Sequence, residues 1–319
     1  MKKKVSDYIA DTLAEYGIHH VFTVTGGGAM HLNDSLGHHP KLSCMYHHHE
    51  QAAAMAAEAY ARVDNRMAAV CVTSGPGATN AITGALCGWM DSIPMLILSG
   101  QVRYDTTVRS SGLNIRTMGV QEYDIVKSVE PMTKYAVMVE EPKKIRYHLE
   151  RALYLASHGR PGPSWLDIPL NVQSAVIETE ELEGYDCRED RDQVPEEISD
   201  TVIEKILEKI KNARRPVLFA GHGIRLAGAY DRFQKLVGLL GIPVVTGMSS
   251  IDLMESAHPL YVGRNGGTGD RAGNFAIQNS DVLLSIGSRQ SFLQTGFAYE
   301  KWAQKAYTIL YDIDGEELK

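Results

Sequence analysis

Cysteine is scarce and scattered. The four present, Cys44, Cys71, Cys87 and Cys187, form no CxxC pair. That argues against a zinc or disulfide framework and favours a reducing compartment, expected here to be the cytoplasm. Three of them lie in apolar segments, where cysteine acts as a small hydrophobe. Long apolar runs are also missing. Stretches such as 95–98 are strand-length, so no membrane span is expected. Positive charge is not in excess: the formal net charge is −7, and no strongly basic stretch offsets it. This argues against a nucleic-acid footprint. Met1-Lys2-Lys3-Lys4 opens like a signal sequence, but Ser6, Asp7, Asp11 and Glu15 follow in place of an apolar core. No targeting peptide is read.

What remains is an ordinary globular composition, 44% hydrophobic and 22% charged over 319 residues. At roughly 150 residues per domain, that length suggests two. Residues 5–16 carry Val5, Ile9, Leu13 and Tyr16 as a helical stripe, and Gly17 ends it. A short strand at 21–24 runs into Gly26-Gly27-Gly28. These glycines serve either a plain turn or a close backbone approach to a ligand. Residues 51–62 are rich in helix formers, with small Ala52, Ala53, Ala56 and Ala57 for close packing. The run 67–73 is a continuous apolar strand, as in a sheet covered on both faces. A helix over 78–89, a strand over 94–99, a loop over 104–119, a strand over 133–139, a helix over 142–157 and a strand over 164–168 complete a first domain, 1–177. The acidic stretch 178–196 reads as a linker. A second α/β unit, 197–319, follows: Ser199 can cap a helix to Ile210 that carries Val202, Ile203 and Ile206 on one face. Its strands are expected at 216–219, 242–246, 282–286 and 307–311.

Four fragments stand in order within the first βαβα pattern: His49-Glu50-Gln51, Ala59-Tyr60-Ala61-Arg62, Thr73-Ser74-Gly75-Pro76-Gly77-Ala78-Thr79-Asn80 and Asp91-Ser92-Ile93-Pro94. The series resembles the pyrimidine-binding domain of thiamine-diphosphate (ThDP) enzymes of the acetolactate synthase family. His158-Gly159-Arg160-Pro161-Gly162-Pro163 resembles the family as well. The resemblance implies an α/β protein of two domains, each a mostly parallel sheet flanked by helices: a ThDP-binding fold, then a Rossmann-like central domain.

Glu50 falls at a strand-to-helix junction. By itself it could be a carboxylate that the helix dipole favours. In the family, a carboxyl hydrogen-bonded to N1′ of the aminopyrimidine favours the imino tautomer, whose nitrogen removes the thiazolium C2 proton. A fairly dry pocket suits such a group. Ser74-Gly75-Pro76-Gly77 could be an anion-binding turn before a helix but lacks the Lys-Ser/Thr of a P-loop. The resemblance places Gly26, Gly27, Gly28, Thr73, Ser74, Gly75, Pro76 and Asn80 beside the cofactor. It also aligns Gln121 with a glutamine facing the reaction centre, where a neutral amide can donate to a developing oxyanion. Val120 stands where the family has Phe. A surface-loop glutamine is the other reading. His47-His48-His49 invite a metal, but on a strand adjacent side chains point to opposite faces, so no metal site is assigned. His49 is expected to support Glu50 or the substrate pocket.

In the central domain, Gly221-His222-Gly223, Arg264-Asn265-Gly266-Gly267 and Ile286-Gly287-Ser288-Arg289 resemble segments that hold FAD in acetolactate synthase. With Arg160 they form a possible nucleotide site, a vestigial pocket or ordinary turns. The only Asp-Gly, Asp314-Gly315, stands near the last residue. The resemblance implies a pyrophosphate and Mg²⁺ site marked by Gly-Asp-Gly and a later Asn, and so places those ligands in a C-terminal half, in cis or in trans. The loop 103–120 holds no histidine, unlike decarboxylases that only protonate their product. The expectation is an acetolactate synthase-like ThDP transferase or lyase. It would decarboxylate a 2-oxo acid and add the hydroxyalkyl carbanion to an acceptor, as a homodimer or larger oligomer. A simple decarboxylase and a non-catalytic binding subunit are the alternatives.

Overall fold

The computed structural model describes residues 1–193 and 197–319. They divide into two compact units, Met1–Val194 and Pro195–Lys319.

The first unit runs β1 (Lys2–Lys4), α1 (Val5–Tyr16), β2 (His20–Thr23), α2 (Met30–His38), β3 (Ser43–Tyr46), α3 (Glu50–Asp64), β4 (Ala68–Val72), α4 (Pro76–Asp91), β5 (Met95–Gln101), α5 (Val108–Ser111), α6 (Val126–Val129), β6 (Tyr135–Met138), α7 (Ile145–Ser157), β7 (Pro163–Pro169), α8 (Leu170–Gln173) and β8 (Val176–Glu178). Six strands form a wholly parallel sheet in the order β3-β2-β4-β5-β7-β6, while β1 and β8 pair antiparallel beside it. Every residue of β4, β5 and β7 is buried, which is why these strands read as continuous rather than alternating. Helix α1 buries Val5, Ile9 and Leu13 and stops where Gly17 turns left-handed at φ 90°. Helices α3 and α4 lie in close contact. A Cβ added at Gly84 would sit 2.4 Å from that of Ala54. The packed face of α3 is Ala53, Ala54, Ala57 and Ala61, whereas Ala52 is exposed.

The acidic segment beginning at Glu178 is tied to this unit as far as Asp190. Arg151 on α7 grips Asp190 through Nε and Nη2 at 3.0 and 2.9 Å, and the Tyr185 hydroxyl donates to the same carboxylate at 2.7 Å. Burial opposes charge on Asp190, but these donors outweigh it and hold the carboxyl below its ordinary range. Residues 194–196 of that segment lie outside the described residues.

The second unit runs α9 (Asp200–Asn212), β9 (Pro216–Ala220), α10 (Gly223–Leu226), α11 (Tyr230–Leu240), β10 (Val244–Thr246), β11 (Tyr261–Arg264), α12 (Arg271–Asn279), β12 (Val282–Ile286), α13 (Phe292–Thr295) and β13 (Tyr307–Tyr311). Its parallel sheet has the order β11-β10-β9-β12-β13. Alternate residues of β9 enter opposite cores: Leu218 and Ala220 meet Phe233 and Val237, while Val217 and Phe219 meet Ile277 and Leu283. Strand β11 is not foreseen by the sequence. It is an edge strand carrying Gly263 at φ 111°, so its composition reads as a turn. Ser199 does stand at the N-cap of α9, but its side chain makes no capping bond. Of the apolar face expected on α9, Ile210 alone is buried.

Candidate functional site

In the first sheet the chain moves from β2 outward to β3, then returns to the other side of β2 for β4. The strand order therefore reverses between β2 and β4. In open parallel sheets a ligand crevice opens at that point, beyond the carboxyl ends of the strands. Three of the sequence-derived segments meet there. Gly26-Gly27-Gly28 leaves β2, Glu50 begins α3 just after β3, and Thr73-Ser74-Gly75 joins β4 to α4. Asn80, one turn into α4, reaches back to Glu50.

The glycines permit the convergence. A Cβ at Gly26 would fall 2.5 Å from that of Thr73, and one at Gly28 would fall 2.7 Å from Ser74 Oγ. The Gly28 N–H donates to Thr73 Oγ1 at 3.0 Å, so the β2 and β4 turns are tied directly. Gly27 is different: nothing lies within 4 Å of its added Cβ. Gly75 is the N-cap of α4 at φ 55°, and its added Cβ would meet the Gln121 carbonyl oxygen at 2.2 Å. The segment bearing Gln121 thus lies over the Ser74-Gly75 turn. Pro76 opens α4 at a position where its missing N–H costs nothing. Ser74 is buried; Gln121 is exposed and left-handed at φ 58°.

Glu50 is half-buried at the first position of α3, where the helix dipole favours its charge. Its Oε2 accepts from Asn80 Nδ2 at 2.9 Å. Its Oε1 faces the first turn of α4, where a Cβ on Gly77 would lie 3.4 Å away, and 2.6 Å from Thr73 Cγ2. Only glycine fits between Glu50 and the Thr73 side chain there. A carboxyl with one oxygen held by Asn80 and the other facing the glycine turn suits a flat ring bonding at its edge, and these residues fit a thiamine pyrimidine. His49 caps the helix that Glu50 begins. It sits outside β3, at the N-cap of α3, and its Nδ1 accepts from Gln51 N at 3.1 Å. Among the described residues no three His, Cys, Asp or Glu side chains are grouped to hold a metal.

Sequence reasoning missed the groups that steady these segments. Asn33 Nδ2 donates to the Gly26 carbonyl at 3.3 Å, and Gln173 Nε2 to that of Gly28 at 2.8 Å. Glu122 gathers the Gln121 segment: its carboxylate accepts from the N–H groups of Val108, Met118 and Gly119 at 2.6, 2.8 and 3.0 Å. Only the adjacency of Glu122 to Gln121 hinted at it.

Comparison with known families follows the same division. Residues 3–127 match the thiamine pyrophosphate enzyme N-terminal TPP binding domain, and residues 203–319 match the central domain of those enzymes. The chain belongs to the thiamine pyrophosphate enzymes. It is 32% identical to the acetolactate synthase large subunit of Lactococcus lactis over 313 residues, 98% of this chain and 52% of that protein. Against the chloroplastic acetolactate synthase 1 of Zea mays it is 32% identical over 321 residues, 99% of this chain and 48% of the relative. Against the large subunit of Corynebacterium glutamicum the figure is 35% over 315 residues, 97% and 48%. The chain spans about half the length of the curated relatives it matches.

The second unit also has a strand-order reversal, between β9 and β12, but its own backbone crosses it. The Gly221 N–H donates to the Ile286 carbonyl and the Gly223 N–H to that of Gly287, each at 2.9 Å. Added Cβ atoms would fall 2.1 Å from Gly287 O at Gly221, and 2.8 Å from Gly287 Cα at Gly223. Gly266, at φ 105°, is pressed against the Leu293 carbonyl, whereas Gly267 has nothing nearer than 4.0 Å. Arg289 is exposed. Arg160 belongs to the first unit, where its Nε donates to Ser92 Oγ at 2.9 Å.

Proposed function

We propose that this chain supplies the pyrimidine-binding and central parts of an acetolactate synthase-type enzyme acting on 2-oxo acids. The observation that carries the reading is Glu50: a carboxyl braced by Asn80 and facing the first turn of α4 at Gly77, at the β2/β4 crevice. When bound, ThDP supplies a nucleophilic ring carbon that can attack the carbonyl of a 2-oxo acid and carry the fragment left after loss of CO₂. Glu50 then holds and returns a proton at the pyrimidine ring nitrogen, and Asn80 keeps the carboxyl turned toward it. The glycine turns let the backbone close on a flat ring. The Gln121 amide offers a neutral donor where negative charge develops on the substrate oxygen, without protonating a carbanion. Transfer to a second acceptor, rather than protonation alone, is favoured by the loop 103–120, which has no histidine.

The reading extends to Mg²⁺ and pyrophosphate ligands in a C-terminal half, in cis or in trans, to a homo-oligomer and to a cytoplasmic location. FAD in the central unit is the finer suggestion. The open space at Gly267 and the exposed Arg289 support a nucleotide there, while Gly221 and Gly223 are engaged by main chain. The test is turnover of a 2-oxo acid with ThDP and Mg²⁺ by the complete enzyme. Glu50→Gln is expected to lose about 10²- to 10⁴-fold, the range of a positioned acid–base group. Wild-type turnover in that variant would reject the reading.

A further inference from the structure

Ser99 and Gln101 stand two residues apart on β5, so their side chains leave the same face, and the register sets Ser99 opposite Asp167 on β7. All three are buried. Ser99 Oγ accepts from the Trp165 indole at 2.8 Å and donates to Asp167 Oδ1 at 2.6 Å. The two amide hydrogens of Gln101 go in different directions. One meets Asp167 Oδ2 at 3.0 Å, and the other meets the Tyr123 carbonyl at 2.8 Å, while Gln101 Oε1 accepts the Val102 N–H at 3.1 Å. Turned over, that amide would set oxygen against two acceptors and nitrogen against a donor, so the network fixes its orientation.

Gln101 therefore reaches from the sheet interior to the surface segment that carries Gln121. Tyr123 is two residues beyond Gln121, whose carbonyl lies against Gly75. We infer that Gln101, seated on Asp167, is a positioning residue: it sets how the Gln121 segment rests on the Ser74-Gly75 turn. That this placement serves catalysis rests on the function proposed above; the mechanical link does not. Asp167 suits the role of seat. Burial pushes its carboxyl up to about 7, with the Ser99 and Gln101 donors pulling the other way. Farther off, Asp124 raises it further and Arg109 opposes that.

The experiment is amide hydrogen exchange on the 319-residue chain without cofactor, so its outcome is independent of the Glu50 reading. In the double variant Gln101→Glu/Asp167→Asn the buried pair keeps its mutual hydrogen bond with donor and acceptor exchanged. Ser99 and Val102 keep theirs. At the Tyr123 carbonyl the Gln101 N–H is replaced by an ionised oxygen, leaving the Ile125 N–H as its donor. A purely structural pair would be rescued by this exchange; a positioning strut would not. Exchange over 119–125 should rise roughly three- to tenfold, the worth of one net hydrogen bond, with β4 and β5 unchanged. Gln101→Met, which keeps the bulk and deletes both amide donors, should do the same. Wild-type exchange over 119–125 in either folded variant would overturn the inference.

Discussion

The two units solve one geometric problem in opposite ways. Each has a parallel sheet whose strand order reverses once, and each places glycines at the strand ends flanking the reversal. In the second unit those glycines let two turns approach until their own main chains hydrogen-bond. In the first, they bring the β2 and β4 turns against threonine and serine side chains, with Glu50 facing the turn at Gly77. Glycine-rich turns mark close approach.

Substitutions can break that contrast. The largest effect is expected at Glu50→Gln, where activity falls by orders of magnitude and thermal stability stays close to wild type, because the amide can still accept from Asn80. Next is Gly221→Ala. Its Cβ would fall 2.1 Å from a backbone carbonyl with no flexible side chain to yield, so about 1–3 kcal/mol of stability should be lost in denaturant titration. Gly77→Ala presses instead on the Thr73 side chain and on Glu50. It should lose turnover out of proportion to stability, read by comparing kcat with the unfolding midpoint.

Asp167 gives a pH signature to the first unit. Its folded carboxyl, at about 7, lies above the unfolded value of about 3.9. Between those values the folded chain binds a proton that the unfolded chain has released. Stability from this group is therefore greatest below pH 4, falls as pH rises toward 7, and levels off above it. The slope is at most about 1.4 kcal/mol per pH unit and should vanish in Asp167→Asn, as urea titrations from pH 4 to 8 would show. The smallest effect is expected at Gly27→Ala, where the added Cβ meets nothing within 4 Å. Stability should stay within about 0.5 kcal/mol, while the ThDP concentration for half-maximal activity rises.

Much of this was legible in the sequence for local reasons. The α1 stripe and Gly17 define both ends of that helix, and the apolar runs become buried strands. The position of Glu50 at the start of α3 follows from the strand and helix signals on either side. What was hidden depends on register and approach. Continuous apolar patterning gave no sign that Ser99, Gln101 and Asp167 share one buried face, because that depends on β5 lying beside β7. The acidic composition after Glu178 concealed Tyr185 and the Asp190 partner of Arg151. The cap that His49 places on Gln51 is visible only in three dimensions.

The central claim is that the crevice between β2 and β4 seats the pyrimidine of ThDP against Glu50. A crystal structure of the complete enzyme with ThDP and Mg²⁺ tests it most directly. The account predicts a pyrimidine nitrogen about 2.6–3.2 Å from the Glu50 carboxylate, with the ring edge beside Gly77. A ring bound elsewhere, or Glu50 turned to solvent with no ring against it, would contradict it.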